Sequence, residues 1–156
     1  MINLIMNGRF PQKDRMTEFA TDVINHFFKR DRKENIVIAV EMKKNLDENN
    51  SGYCVDYGVC DYGQFGLQTG KIRTIAISLS RNYENGDTKF PYTVRDIAST
   101  LAHELVHAKQ YIRRELTNKS LVAGLSIVHK GRCEYNDLPW EEEAYALEED
   151  LTELYW

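Results

Sequence analysis

The residues best suited to chemistry lie in the segment His103-Glu104-Leu105-Val106-His107. On a helix, His103 and His107 share one face and stand one turn apart, so both imidazoles can bind a single Zn²⁺. Glu104 is rotated by about 100° around the axis, where it can accept a proton from an attacking water. The spacing therefore predicts the zinc site of a small metallopeptidase, with Glu104 as its general base.

A catalytic zinc usually takes a third protein ligand. The pattern H-E-x-x-H-x-x-G-x-x-H does not supply it, because positions 110 and 113 are Gln and Arg. The remaining common solution is a carboxylate from a second helix, and residues 141–143 are all glutamates. Glu142 points most nearly away from the apolar seam of that helix, which leaves Glu141 and Glu143 as candidates.

Two predicted helices position these side chains. The first runs from about Thr93 to Leu116, and Asp96 completes a capping box with Thr93. An apolar stripe on this helix is expected to pack on a sheet and comprises Val94, Ile97, Ala98, Leu101, Leu105, Ala108 and Ile112. The two histidines lie nearly opposite the stripe, on the polar side. The second helix runs from near Asp137 to about Leu154, with Pro139 in its first turn.

Elsewhere the pattern mixes helix, strand and loop. A helix is predicted from about Asp14 to Lys29, and strands over Ile36 to Met42 and Ile72 to Leu79. Loops are predicted over 45–52 and 81–90, and irregular strand and loop over 52–70. The region 120–135 is ambiguous, with candidate strands around Val122 and over Ser126 to Val128. Because strands and helices do not alternate regularly, we predict an α+β fold.

Length and charge limit the classes of function. The 156 residues suit one domain, 1–156, and the net charge of −4 argues against a general nucleic-acid binder. Nucleic acid remains a weakly supported partner because basic residues cluster in two places. These are Lys29, Arg30, Arg32 and Lys33, and then Arg113 and Arg114.

Nothing in the sequence predicts membrane attachment. No segment reaches the ~20 apolar residues of a membrane span. Polar residues interrupt positions 1–10, which therefore do not resemble a signal peptide. We expect a cytoplasmic protein, in the host cell if it is phage-encoded, with no membrane partner.

The three cysteines, Cys54, Cys60 and Cys133, do not suggest a disulfide framework. A structural zinc site formed with His129 would be an alternative role. Their spacing matches no short-loop zinc knuckle, so we expect reduced thiols.

Two blocks of sequence resemble a known family. They are TLAHELVHAKQYIRREL (100–116) and, after Lys130-Gly131, YNDLPWEEEAY (135–145). Together they resemble the SprT-like phage metallopeptidases, small gluzincin-type zinc peptidases, over roughly the C-terminal third of the chain. The resemblance implies that His103 and His107 bind zinc and that Glu104 is the general base. It also implies a third ligand in the second block, where Glu141 matches the family pattern and Glu143 is the fallback.

The resemblance also carries expectations about fold. It implies a small zincin-like domain, in which the HExxH helix packs on a small mixed sheet and the C-terminal helix supplies the third ligand. An edge strand, for which Ile72 to Leu79 is the candidate, would pair with an extended peptide. Tyr145 stands where relatives often carry the Asp or Asn that supports a zinc-bound histidine, so that supporting partner is left open. The candidates for an oxyanion-stabilising group are Tyr111, Tyr135 and His129.

These features predict a zinc-dependent peptidase whose substrate is a peptide or a protein. The alternative is a zinc-stabilised binding or regulatory protein of phage type, without turnover. Glu104 argues against that alternative, because a structural site needs no general base and usually closes its fourth coordination position.

Overall fold

In a computed structural model that describes residues 1–30, 34–61 and 71–156, these parts of the chain form a mixed sheet, a hairpin and four α-helices. The strands are β1 (Ile2–Asn7), β2 (Asn35–Lys43), β3 (Gly52–Asp61), β4 (Lys71–Ser80), β5 (Asn82–Asn85) and β6 (Thr88–Pro91). The helices are α1 (Lys13–Phe27), α2 (Val94–Ile112), α3 (Asn118–His129) and α4 (Pro139–Tyr155). The predicted α+β class is confirmed. None of the helices in the described part of the chain is both long and apolar enough to cross a membrane.

The sheet has the strand order β1-β2-β4-β3. Strands β1, β2 and β4 run parallel, and β3 runs antiparallel to β4. One face of the two central strands is fully buried, because apolar residues alternate along both strands and pair in register, as Ile38 does with Ile75. The helices α1, α2 and α4 pack into the same core.

The expectation that Ile72 to Leu79 forms an edge strand is wrong. These residues belong to β4, which has β2 on one side and β3 on the other. The edge strand next to α2 is β3. Irregular strand and loop was expected for 52–70, but Gly52–Asp61 is a continuous strand with one register shift, between Asp56 and Val59. Residues 62–70 lie outside the described residues. Alternation identifies a half-buried strand, but it does not show which strand has a free edge.

Helix α2 begins as predicted and ends early. Thr93 Oγ1 accepts from the Asp96 amide at 3.1 Å, and Asp96 Oδ2 accepts from the Thr93 amide at 3.2 Å, which confirms the capping box. The helix ends at Ile112 and not near Leu116, because Arg114 takes a left-handed conformation with φ 59°. Residues 101–112 are all buried, so the polar side that carries the histidines is not a solvent face. It is covered by α4.

Gly52 lets β3 approach α2 closely. A Cβ at this position would lie 2.9 Å from Thr100 Cγ2 and 3.2 Å from Glu104 Cγ. Such distances are tighter than real Cβ contacts, so a side chain here would push β3 away from α2. The glycine therefore places the start of the edge strand directly beside Glu104.

Three further segments differ from expectation. Residues 81–90 form most of the β5–β6 hairpin and not a loop. The candidate strands around Val122 and Ser126 to Val128 are helical, because a capping box between Thr117 and Ser120 starts α3 despite its β-branched residues. No element was predicted for β1, whose alternating Ile2, Leu4 and Met6 pair with β2 at the other edge of the sheet.

The helix expected from Asp14 to Lys29 is confirmed as α1, two residues shorter at its end.

Candidate metal centre

Three buried side chains from two helices meet between α2 and α4. His103 and His107 come from α2, and Glu141 comes from the first turn of α4. Their residues are 8%, 7% and 3% exposed. One ligand atom from each residue lies within 4.8 Å of the others, and this is the one such group of His, Cys, Asp and Glu found in the described residues.

The distances between these atoms fit a tetrahedral ion. Two ligands at the usual zinc bond length stand about 3.3 Å apart when both bind such an ion. The two Nε2 atoms of His103 and His107 are 3.2 Å apart. Glu141 Oε2 lies 3.1 Å from His103 Nε2, and Glu141 Oε1 lies 3.2 Å from His107 Nε2. The group could therefore hold a metal ion.

The outer nitrogen of each imidazole is bound by a second residue. His103 Nδ1 donates to Glu148 Oε2 at 2.7 Å, and His107 Nδ1 donates to Gln110 Oε1 at 2.8 Å. Both contacts turn Nε2 toward the centre of the group, as such partners do in metal sites. The sequence left the supporting partner open at Tyr145, whose ring packs on His103 at 4.6 Å between centroids. The hydrogen-bonding partner is Glu148 instead, seven residues after Glu141, which is two helical turns along the same face of α4.

The geometry separates the three adjacent glutamates of α4. Glu141 is buried and also accepts a hydrogen bond from the Tyr135 hydroxyl at 2.7 Å. Glu142 is exposed. Glu143 lies outside the group and forms an ion pair with Lys109. Of the two candidates for third ligand, only Glu141 therefore meets the histidines.

The carboxylates around the group favour positive charge at its centre. Burial by itself would lower the pKa of His103, but hydrogen bonds to Glu141 and Glu148 outweigh it and raise that pKa to about 10. The pKa of His107 is also raised, since the hydrogen bond to Glu141 and the charge of Glu104 outweigh burial. Burial would raise the pKa of Glu141, but its hydrogen bonds to both histidines hold that pKa well below its usual range. A surrounding that retains protons on imidazoles also attracts a cation.

Glu104 is buried beside the group and is not part of it. The residue is 5% exposed and lines the same cleft as the two histidines. Burial raises the pKa of its carboxyl to about 7, against the lowering effect of His107 and His103. A carboxyl with a pKa near neutrality is well matched to accepting and returning a proton.

The group opens into a cleft of about 660 Å³. Its walls are the start of β3 with the residues just before it, the side of α2 that carries the histidines, and parts of α3 and α4. Tyr111 and Tyr135 line the cleft, and His129 does not: it is exposed in the last turn of α3. Burial raises the pKa of Tyr111 to about 12, and burial together with Glu141 raises the pKa of Tyr135. Both hydroxyls therefore stay protonated at neutral pH and can donate.

The other sequence candidates lie apart from the group. Cys54 lines the cleft, and Cys133 Sγ donates to the carbonyl oxygen of Glu134. No cysteine joins a metal-ligating group in the described part of the chain, and the side chain of Cys60 lies outside it. In the basic clusters, Arg113 donates to the Phe27 carbonyl at 2.7 Å, while Arg32 and Lys33 are outside the described residues.

Comparison of the chain with known proteins finds no matching family model, curated protein or solved structure. The resemblance to SprT-like metallopeptidases therefore remains a prediction, and function has to be inferred from the geometry of the site.

Proposed function

We propose that this protein is a zinc-dependent peptidase of the gluzincin type, in which Glu104 is the general base for hydrolysis of a peptide bond. The observation that carries the proposal is the buried meeting of His103, His107 and Glu141 beside a carboxyl whose pKa is about 7. These are three protein ligands, which is the number that leaves a catalytic zinc one open position.

The ligand set favours zinc. Two imidazoles and one carboxylate suit this ion better than Ca²⁺ or Mg²⁺, which prefer oxygen ligands alone. When bound, zinc would supply Lewis acidity that acidifies a water and polarises the carbonyl of the substrate. His103, His107 and Glu141 would hold it, and Glu148 and Gln110 would keep the two imidazoles oriented.

The remaining steps belong to the protein's own side chains. The Glu104 carboxylate accepts a proton from the attacking water and returns it to the nitrogen of the leaving amine. Tyr111 and Tyr135 are protonated donors in the cleft and are the two candidates that remain for stabilising the oxyanion. The burial of Glu104 raises its pKa, which makes it a stronger base than an exposed carboxylate.

The cleft has a strand edge that suits an extended peptide. Among the strands of the described residues, β3 pairs with β4 alone, and its first residues, Gly52 to Val55, line the cleft. Backbone groups on a free edge can pair with a peptide by strand addition. We propose this role for β3 within a zincin-like architecture, in place of the strand over Ile72 to Leu79 that the sequence suggested.

The replacement Glu104→Gln tests the mechanism. We expect it to lower kcat/KM for peptide cleavage by about 10²- to 10⁴-fold, the usual contribution of a general base, while about one zinc ion per chain stays bound. Activity on a degenerate peptide library and zinc content by elemental analysis are the two measurements. Glu142→Gln is the matched control, since Glu142 is exposed on α4 and should leave both values unchanged.

Each outcome is informative. Cleavage by the Glu104→Gln variant at the wild-type rate would show that the mechanism is wrong. A wild-type protein that binds zinc through a fourth protein ligand and cleaves no peptide would instead support the zinc-stabilised binding or regulatory protein.

A further inference from the structure

The two ends of the cleft differ in chemistry. Helices α2 and α4 run antiparallel: Gln110, late in α2, contacts Trp140 at the start of α4, whereas His103, earlier in α2, contacts Glu148 further along α4. At the end near the start of α2 the lining is mainly polar and comprises Asn50, Ser51, Tyr92, Asp96, Ser99 and Glu148. At the opposite end, which we call the α3 end, the lining comprises Tyr111, Leu116, Leu121, Leu125 and Trp140. The group of His103, His107 and Glu141, which we call the metal group, lies between the two ends of the cleft.

Helix α3 presents a leucine pair to this end. Leu121 and Leu125 are four residues apart, so they share one face of the helix, and both line the cleft. Val122 lies off that face, is 68% exposed and does not line the cleft. The only buried residue of α3 is Gly124. Leu121 is half-buried and packs against the main core, whereas Leu125 is exposed, and both line a cleft large enough for a ligand.

Close contact with Trp140 sets the position of this wall. A Cβ on Gly124 would lie 2.5 Å from Trp140 Cη2, so glycine is what allows α3 to come this near. The Trp140 carbonyl in turn accepts a hydrogen bond from Gln110 Nε2 at 2.9 Å, and Gln110 Oε1 holds His107. Trp140 and Gln110 thus connect the α3 end of the cleft to His107 of the metal group.

We propose that the α3 end of the cleft is a subsite for an apolar side chain of the peptide substrate, next to the bond that is cleaved. Leu121 and Leu125 are its specificity-determining residues. The inference rests on the proposed function and names a substrate class for it. It follows from two observations: the described residues that line this end carry no charged side chain, and this end is continuous with the metal group. A charged side chain placed there would lose its hydration without gaining an oppositely charged partner.

The test is the ratio of the rates at which the same zinc-loaded enzyme cleaves two peptides. A degenerate library first identifies the position beside the cleaved bond where Leu, Ile, Met or Phe is enriched. Two synthetic peptides then differ only there, with Leu in one and Gly in the other. We expect wild type to prefer the Leu peptide by about 10- to 100-fold in kcat/KM, the range for one apolar side chain in a pocket.

Leu125→Ser and Leu121→Ser should each lower this ratio several-fold. Val122→Ser is the matched control on the same helix and should keep the wild-type ratio, because Val122 does not line the cleft. A ratio is used because partial unfolding lowers the rate on both peptides equally. Leu125 is 42% exposed, so its replacement by Ser is compatible with folding.

The outcomes separate this inference from the proposed function. Cleavage with no apolar enrichment, or with enrichment that both Leu→Ser variants retain, would overturn the subsite and leave the peptidase standing. If zinc-loaded wild type cleaves no member of the library, both proposals fall together.

Discussion

The imidazole of His103 is bound at both nitrogens. Its Nε2 lies 3.1 Å from Glu141 and its Nδ1 lies 2.7 Å from Glu148, so the ring has one orientation. A carboxylate on the outer nitrogen also increases the electron density that the inner nitrogen offers to a metal ion. Glu148 therefore acts through His103, as a positioning residue rather than as a ligand.

Removal of this carboxylate should weaken metal binding. We expect Glu148→Ala to raise the Kd for zinc by about 10- to 100-fold, measured by competition with a chelator. Glu148→Gln should cost less, because its amide oxygen can still accept from Nδ1. The matched control is Glu149→Gln, an exposed neighbour that pairs with Arg95. Equal zinc affinity in Glu148→Ala and wild type would contradict the role.

Cys54 illustrates what burial does to a thiol in the same cleft. Burial raises its pKa well above the usual range, and the charges of Glu104 and then Asp56 raise it further. The thiolate is the reactive form of cysteine, so alkylation by iodoacetamide at pH 8 should be at least about 10-fold slower in the folded protein than in the unfolded chain.

The pH dependence separates the pKa effect from simple shielding. Because the folded pKa is raised, the rate at Cys54 should keep increasing above about pH 10, where the thiol of the unfolded chain is almost fully ionised and its rate has levelled off. Mass spectrometry of the peptide that contains Cys54 gives both rates. Similar rates and similar pH profiles in the two states would show that the pKa is not raised.

At the scale of the element, the cap of α2 supports the helix that carries His103 and His107. Thr93→Ala removes the side-chain acceptor of the Asp96 amide. We expect a loss of about 1 kcal/mol in the free energy of unfolding, measured as a lower urea midpoint with an unchanged slope. Thr21→Ala is the control: Thr21 is exposed within α1, where alanine favours the helix. A Thr93→Ala midpoint equal to that of wild type would contradict the capping role.

The elements differ in how well local sequence predicts them. The capping box of α2 and the proline in the first turn of α4 are local signals, and both helices begin within two residues of the predicted position. The region of α3 is ambiguous in sequence, with candidate strands, because Val122, Ile127 and Val128 favour strands. The Thr117–Ser120 capping box was the signal that could have identified it.

At the scale of the whole molecule, the metal group joins two helices that are 38 residues apart in sequence at His103 and Glu141. A ligand that binds only this assembled group stabilises the folded state by mass action. At a free zinc concentration of 100 times the Kd, the gain is about 2.7 kcal/mol, equivalent to about 5–10 °C in Tm. Zinc should therefore raise the Tm of wild type, and a chelator should reverse the increase.

Two variants check where the zinc acts. His103→Ala removes a ligand and should abolish the zinc-dependent rise in Tm. His129→Ala is the control, since His129 is exposed on α3 and does not line the cleft. Differential scanning calorimetry with and without zinc measures both. A full rise in the His103→Ala variant would show that zinc stabilises the protein at another site.

The sequence by itself determined the parts of this protein that depend on neighbours within one helix. The four-residue spacing of His103 and His107, the placement of Glu104 and the cap at Thr93 are consequences of helical geometry, which is local. The same applies to the β-branched run that predicted β2 and to the alternation that predicted β4.

Only the tertiary structure placed Glu141, and not Glu143, beside the histidines, brought Glu148 to His103 and put β3 at the edge of the sheet that the described residues form. Each of these outcomes depends on how α4 and β3 pack against α2. That packing is set by contacts such as those of Gly52 and Gly124, between residues far apart in the chain. Spacing along the sequence carries no information about such distances, because they arise from the shape of the assembled core.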